Sequence, residues 1–122
     1  MEGTRVLVVE DEYLLAEDLR RSLEQEGAIV LGPAPSVPAA EQLLAAESTI
    51  DFAILDINLA GTSAFPIADR LARSQIPFAF VSGYEQSTVP ERFAGIVVLE
   101  KPVNFRLLCD AISAGVGARG ES

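Results

Sequence analysis

Phe52-Ala53-Ile54-Leu55-Asp56 is an apolar run that closes on an acid. The run Val6-Leu7-Val8-Val9 likewise ends in acid, followed by Glu10-Asp11-Glu12. Short continuous apolar runs suit strands buried on both faces, as in a parallel sheet. Two buried strands that end in carboxylates bring acidic groups together at one sheet edge. Carboxylates crowd like that when a divalent cation holds them, because otherwise their repulsion is unrelieved. A later apolar run, Ile96 to Leu99, leads to Lys101-Pro102. Grouped carboxylates with a lysine beside them are what phosphoryl chemistry on an aspartate needs.

Outward from these runs, β-branched segments alternate with amphipathic ones. Arg5 to Val9 is predicted as the first strand. Tyr13 to Glu26 is predicted as a helix, with Leu14, Leu15, Leu19 and Leu23 (and Asp18) near helical spacing, and Gly27 as its stop. Ala28 to Leu31 reads as a second strand. Pro33, Pro35 and Pro38 mark a connection, with Ser36 as the N-cap of a helix from Val37 to Ala46. After the strand at Phe52 to Leu55, Gly61-Thr62-Ser63 leads into a helix through Arg73, with Ile67, Ala68 and Leu71 inward. Pro77 to Val81 is a fourth strand, and Pro90 leaves Glu85 to Phe93 irregular. Ile96 to Leu99 is the fifth strand. Asn104 caps a last helix, Phe105 to Ala114, with Leu107, Leu108, Ala111 and Ile112 on one face. Gly115-Val116-Gly117 is expected to end it, and the tail to Ser122 to fray.

Five strand–helix units imply an α/β fold, a parallel sheet with helices on both sides. Ligands in such sheets sit beyond the carboxyl ends of the strands. That rule gathers Glu10, Asp11, Asp56, Ser82 and Lys101 at one edge.

Composition narrows the chemistry. The net charge of −9 repels nucleic acid phosphates and argues against DNA or RNA binding. It suits a cation or a basic protein partner. The chain has no histidine, which removes imidazole zinc sites, Ser-His-Asp triads and an internal phosphohistidine. A single cysteine, Cys109, fits a core position and a reducing cytoplasm. No apolar run is long enough for a membrane span and no secretory pattern opens the sequence.

Taken together, the acidic pair Glu10-Asp11, Asp56, the hydroxyl of Ser82 and Lys101-Pro102, each after a strand and in this order, resemble the receiver domain of bacterial two-component response regulators. The resemblance spans about Arg5 to Ala114 and implies one receiver domain over residues 1–122. It implies a flavodoxin-like (βα)5 three-layer sandwich with a five-stranded sheet of order 2-1-3-4-5. It also implies a role for each residue. Asp56 would accept a phosphoryl group. Asp11 and Asp56 would bind Mg²⁺ (or Mn²⁺), with Glu10 acting through water and Asn58 through its backbone carbonyl. Ser82 and Lys101 would each hold a phosphoryl oxygen, the Lys101-Pro102 bond being cis. The phosphoryl donor would be a histidine kinase or histidine phosphotransfer protein, and the output a downstream protein target. The chain would be a signalling switch, able to lose its phosphate but no turnover enzyme. It would be cytoplasmic, and a monomer or weak homodimer through the apolar-rich face of the last helix and strand.

Phe78-Ala79-Phe80-Val81-Ser82-Gly83-Tyr84, after Pro77, resembles the fourth strand of the single-domain receivers called FAT GUY. Val98 stands where many receivers carry a Tyr or Phe that swings with the switch, and Val103 where many carry Phe. Tyr84 is then the candidate for that signalling role. Competing readings are weaker. An aspartyl phosphatase of the haloacid dehalogenase type needs a second aspartate two residues after the nucleophile, where Asn58 stands. A binding-only receiver does not need the full set of acids, hydroxyl and lysine. A Rossmann nucleotide domain lacks its Gly-rich loop. Singly, each residue has an ordinary use: an acidic helix start, a loop cap, a turn serine, a solvated lysine.

Overall fold

A computed structural model describes residues 1–47, 49–83 and 89–120 of the chain. Seven strands and four α-helices follow one another. They are β1 (Arg5–Val9), α1 (Tyr13–Gln25), β2 (Ile29–Ala34), α2 (Val37–Ala46), β3 (Phe52–Asp56), the short β4 (Asn58–Leu59) and β5 (Thr62–Ser63), α3 (Phe65–Arg73), β6 (Phe78–Ser82), β7 (Val98–Glu100) and α4 (Phe105–Gly120). A 3₁₀ turn, Glu91–Phe93, precedes β7. The main sheet has the order β2-β1-β3-β6-β7, all parallel. Once the β4–β5 hairpin is set aside, this is the expected flavodoxin-like order 2-1-3-4-5.

Alternation along the buried strands divides the core into two layers. Leu7, Val9, Ala53, Leu55, Phe78 and Phe80 face α2 and α3. Val6, Val8, Phe52, Ile54, Ala79 and Val81 face α1 and α4. The α2–α3 side carries a cluster of Phe65, Phe78, Phe80 and Phe93, with ring centroids 5.5 to 6.1 Å apart. Phe93 comes from the segment read as irregular, yet it is buried at the centre of that cluster. Its neighbour Arg92 lies 4.6 Å over the Phe93 ring and forks onto Asp69 of α3 at 2.9 and 3.1 Å.

Several element boundaries differ from the sequence reading, each for a local reason. β2 continues past Leu31 through Gly32-Pro33 to Ala34, with a register shift opposite Leu7 to Val9. The proline is tolerated because β2 is an edge strand. β7 begins at Val98 rather than Ile96. The Ile96 N–H bonds back to the Phe93 carbonyl at 2.9 Å, which draws Ile96 into the preceding turn. The β4–β5 hairpin turns on Ala60 and Gly61, both with positive φ (52° and 91°), as a two-residue hairpin loop requires. Leu14 and Leu107 are exposed rather than inward; Ala16, Leu19 and Leu23 carry the α1 face, and Leu108 and Ile112 the α4 face. Two predicted caps are present: Ser36 Oγ accepts from the Ala39 N–H, and Asn104 Oδ1 from the Leu107 N–H.

The largest departure is at the end of the chain. Gly115 does not stop α4, which runs on to Gly120. Gly115 is a packing residue: a Cβ there would stand 2.8 Å from the Phe52 ring and 3.0 Å from Pro77. Gly117 meets nothing within 4 Å. The two glycines therefore respond oppositely to alanine. Gly115→Ala should lower stability by about 1–3 kcal/mol through overpacking. Gly117→Ala should raise it by up to about 1 kcal/mol through helix propensity. Urea unfolding of the two variants checks both signs.

Candidate functional site

Strand geometry brings the singled-out acids, hydroxyl and lysine to one edge. β1 and β3 are neighbours, so Glu10 and Asp56 emerge side by side from their carboxyl ends. The Glu10 N–H bonds the Ala34 carbonyl at 3.0 Å, which holds the β1 end against β2. Asp56 pairs with Val81, and Ser82 with Glu100, so the ends of β6 and β7 lie next in line. The Lys101 N–H donates to the Ser82 carbonyl at 2.8 Å and extends that ladder by one bond. The Lys101-Pro102 peptide is cis.

Glu10, Asp56 and Ser82 are the buried polar residues among those described. Glu10, Asp11 and Asp56 each offer a carboxylate oxygen within 4.8 Å of the others. Lys101 Nζ reaches Asp56 Oδ2 at 2.8 Å, Glu12 Oε1 at 3.1 Å and the Glu10 carboxylate at 3.4 Å. Asp56 Oδ1 accepts from the Asn58 N–H at 3.0 Å. The Asn58 side chain turns away, accepting from the Gly61 N–H at 2.7 Å and bracing the β4–β5 hairpin. Among the described residues the Ser82 hydroxyl makes a long contact of 3.4 Å to the Gly83 carbonyl, which a better acceptor can replace. Tyr84 lies outside the described residues.

Electrostatics separate the groups. Burial pushes the Glu10 carboxyl up to about 8, and the neighbouring Asp56 carboxylate adds to that. Burial alone would lower Lys101, but its hydrogen bonds to Asp56 and Glu12 and the charge of Glu10 hold it above its ordinary value. The ammonium thus stays charged among the acids.

The residues fit a divalent cation. Glu10 Oε1 is buried and has no hydrogen-bond partner among the described residues. An orphaned carboxylate oxygen beside two further carboxylates is an all-oxygen donor set, which suits Mg²⁺ or Mn²⁺ rather than a softer metal. Glu12 was read in the sequence only as part of an acidic turn, and its contact with Lys101 could not be found there. The acidic run gives the charges; it does not say which of them points at a lysine 89 residues away.

Comparisons with known proteins identify the family. Residues 6–113 match the family described as the response regulator receiver domain. The sensory transduction protein RegX3 of Mycolicibacterium smegmatis is 39% identical over 82 residues, covering 65% of this chain and 34% of its own length. The phyllosphere-induced regulator PhyR of Methylorubrum extorquens is 33% identical over 93 residues, covering 75% of this chain and 33% of its own. The chain thus spans about a third of the length of the curated relatives it matches. The solution structure of SdrG from Sphingomonas melonis is 36% identical with a TM-score of 0.82, over 93% of this chain and 97% of that one. The BeF3-activated conformation of SdrG from Pseudomonas melonis aligns at 34% identity and a TM-score of 0.73, over 94% of this chain and 98% of that one.

The raised Glu10 carboxyl has a measurable consequence. A group whose folded pKa of about 8 exceeds its unfolded 4.5 binds its proton more tightly in the folded state. Metal-free protein should therefore lose stability as pH rises between those two values. Glu10→Gln should remove most of that loss. Thermal unfolding in chelator at pH 5 and pH 8 checks it: the wild-type midpoint should fall more than the variant's.

Proposed function

The chain belongs to the response regulator receiver family of two-component signalling, and from that premise we propose that it is a phosphorylation switch whose acceptor is Asp56. The observation that supports this most is the grouping of Asp56, Lys101 and the carboxylates of Glu10 and Asp11 at the carboxyl ends of adjacent strands. In this reading Asp11, Asp56 and the Asn58 carbonyl would hold a Mg²⁺, with Glu10 acting through water, and the ion would supply positive charge to the phosphoryl oxygens.

The protein's own groups supply the remainder. One Asp56 carboxylate oxygen bonds to the phosphorus as the bond from phosphorus to a partner's histidine nitrogen breaks. The product is an acyl phosphate on Asp56 and a free histidine on the donor. The Asn58 N–H and the Lys101 ammonium fix the orientation of the attacking carboxylate before the donor arrives. Lys101 then pairs with one phosphoryl oxygen, and the weakly held Ser82 hydroxyl turns from Gly83 to donate to another. The Ser82 shift is the switch that a protein target reads, with Tyr84 as its reporter in place of the aromatic missing at Val98.

The donor is a histidine kinase or a histidine phosphotransfer protein, since the chain has no histidine. A single domain over residues 1–122, with its core at about 5–114, agrees with the end-to-end match to SdrG, and the Phe78 to Tyr84 stretch points to the FAT GUY group. No described helix is long and apolar enough to cross a membrane. We place the switch in the cytoplasm, as a monomer or weak homodimer that is not itself a turnover enzyme.

Intact-mass spectrometry tests the acceptor. With acetyl phosphate, the wild type should gain one phosphoryl group only when Mg²⁺ is present, and Asp56→Ala should gain none. Equal modification of Asp56→Ala would contradict the assignment. Lys101→Ala should still bind Mg²⁺ but show a much smaller set of NMR shift changes with beryllofluoride; a response of wild-type size would remove Lys101 from the switch.

A further inference from the structure

Glu12 has no role in the scheme above, yet its side chain is committed to the site. It occupies the N-cap of α1, where a side chain ordinarily turns back onto the first free N–H groups. It makes no such bond. Its Oε1 instead lies 3.1 Å from Lys101 Nζ. The Glu12 side chain is 61% exposed, against 5% for Asp56. Its backbone N–H also touches the cluster, donating to Glu10 Oε2 at 3.0 Å.

An ammonium has three N–H donors. Here Asp56 and Glu12 take two of them, at 2.8 and 3.1 Å, while Glu10 stands at a long 3.4 Å. A phosphoryl oxygen arriving on Asp56 competes with the close acceptors for the ammonium. Glu10 is buried and fixed by the Glu12 N–H, and Asp56 is itself the group being modified. Glu12, on an exposed side chain, is the acceptor that Lys101 has to leave.

We propose that Glu12 is a positioning residue that acts through Lys101: it tethers the ammonium at the mouth of the site and slows its transfer to the phosphoryl group. The proposal rests on the acceptor reading of Asp56. An exposed ion pair is weak, so the brake is modest, about three- to fivefold in rate. A different device would be plain repulsion of an anionic donor by the Glu12 charge, with Lys101 uninvolved. The two part company at Glu12→Asp, which keeps the charge but is one methylene too short to hold the ammonium.

The test is the rate of Asp56 phosphorylation by acetyl phosphate with Mg²⁺, followed by intact mass. The proteins are the wild type, Glu12→Ala, Glu12→Asp, Lys101→Ala and the Glu12→Ala/Lys101→Ala pair. Both Glu12 variants should react about three- to fivefold faster than wild type. Glu12→Ala should have no effect once Lys101 is absent, which is the coupling a double-mutant cycle reads. The unfolding midpoint of Glu12→Ala should stay near the wild type, because no cap bond is lost, and that of Glu12→Asp should not fall. Three results would each overturn the tether: an unchanged rate in Glu12→Ala, the same acceleration without Lys101, or a wild-type rate in Glu12→Asp. A wild type that takes up no phosphate would overturn the acceptor reading, and the tether with it; normal wild-type uptake with no Glu12 effect overturns the tether alone.

Discussion

Carboxylates from two strands that share one sheet edge need a proton or a positive charge among them. Lys101 supplies that charge in this structure, 2.8 Å from Asp56 and in reach of Glu10 and Glu12. Surface pairs such as Arg5–Glu47 contribute about 0–1 kcal/mol each and organise little. The Lys101 contact differs because Asp56 and Glu10 are buried, where an unpaired charge costs far more. One ammonium does not complete the arrangement: Glu10 Oε1 lies a long 3.4 Å from it and accepts no hydrogen bond among the described residues. The cluster is thus poised for a second cation.

The rest of the fold holds these groups in place. Parallel pairing of β1 with β3 fixes the separation of Glu10 and Asp56. The bond from the Lys101 N–H to the Ser82 carbonyl fixes the lysine backbone beside the switch hydroxyl. Behind Ser82 on β6, Phe80 packs edge-on against Phe65 and Phe93. Arg92 ties the Phe93 turn to α3 through Asp69. A movement at Ser82 therefore has packed rings and an ion pair beneath it, not a valine at position 98 alone.

The site was legible in the sequence because buried strands are continuous apolar runs, and in a parallel sheet their carboxyl ends share an edge. Glu10, Asp11, Asp56, Ser82 and Lys101 could be placed together on that ground before any coordinates. What was not legible depends on tertiary contact. Gly115 has the sequence look of a helix stop, and only the approach of Phe52 and Pro77 explains why it is glycine inside a helix. Phe93 follows a proline in an unpatterned stretch, and only the ring cluster explains its burial. Leu14 and Leu107 fit helical spacing yet lie outside, because apolar spacing does not say which side of a stripe ends in solvent. Glu12 needed the position of a lysine far along the chain.

The central claim is that separate strand ends converge on one cation beside an acceptor aspartate. An NMR-monitored Mg²⁺ titration tests it most directly. The account predicts saturable shifts confined to the backbone around Glu10 to Glu12, Asp56 to Asn58, Ser82 and Lys101, absent from Asp11→Asn. Shifts scattered over the acidic surface, or the same titration in Asp11→Asn, would contradict it.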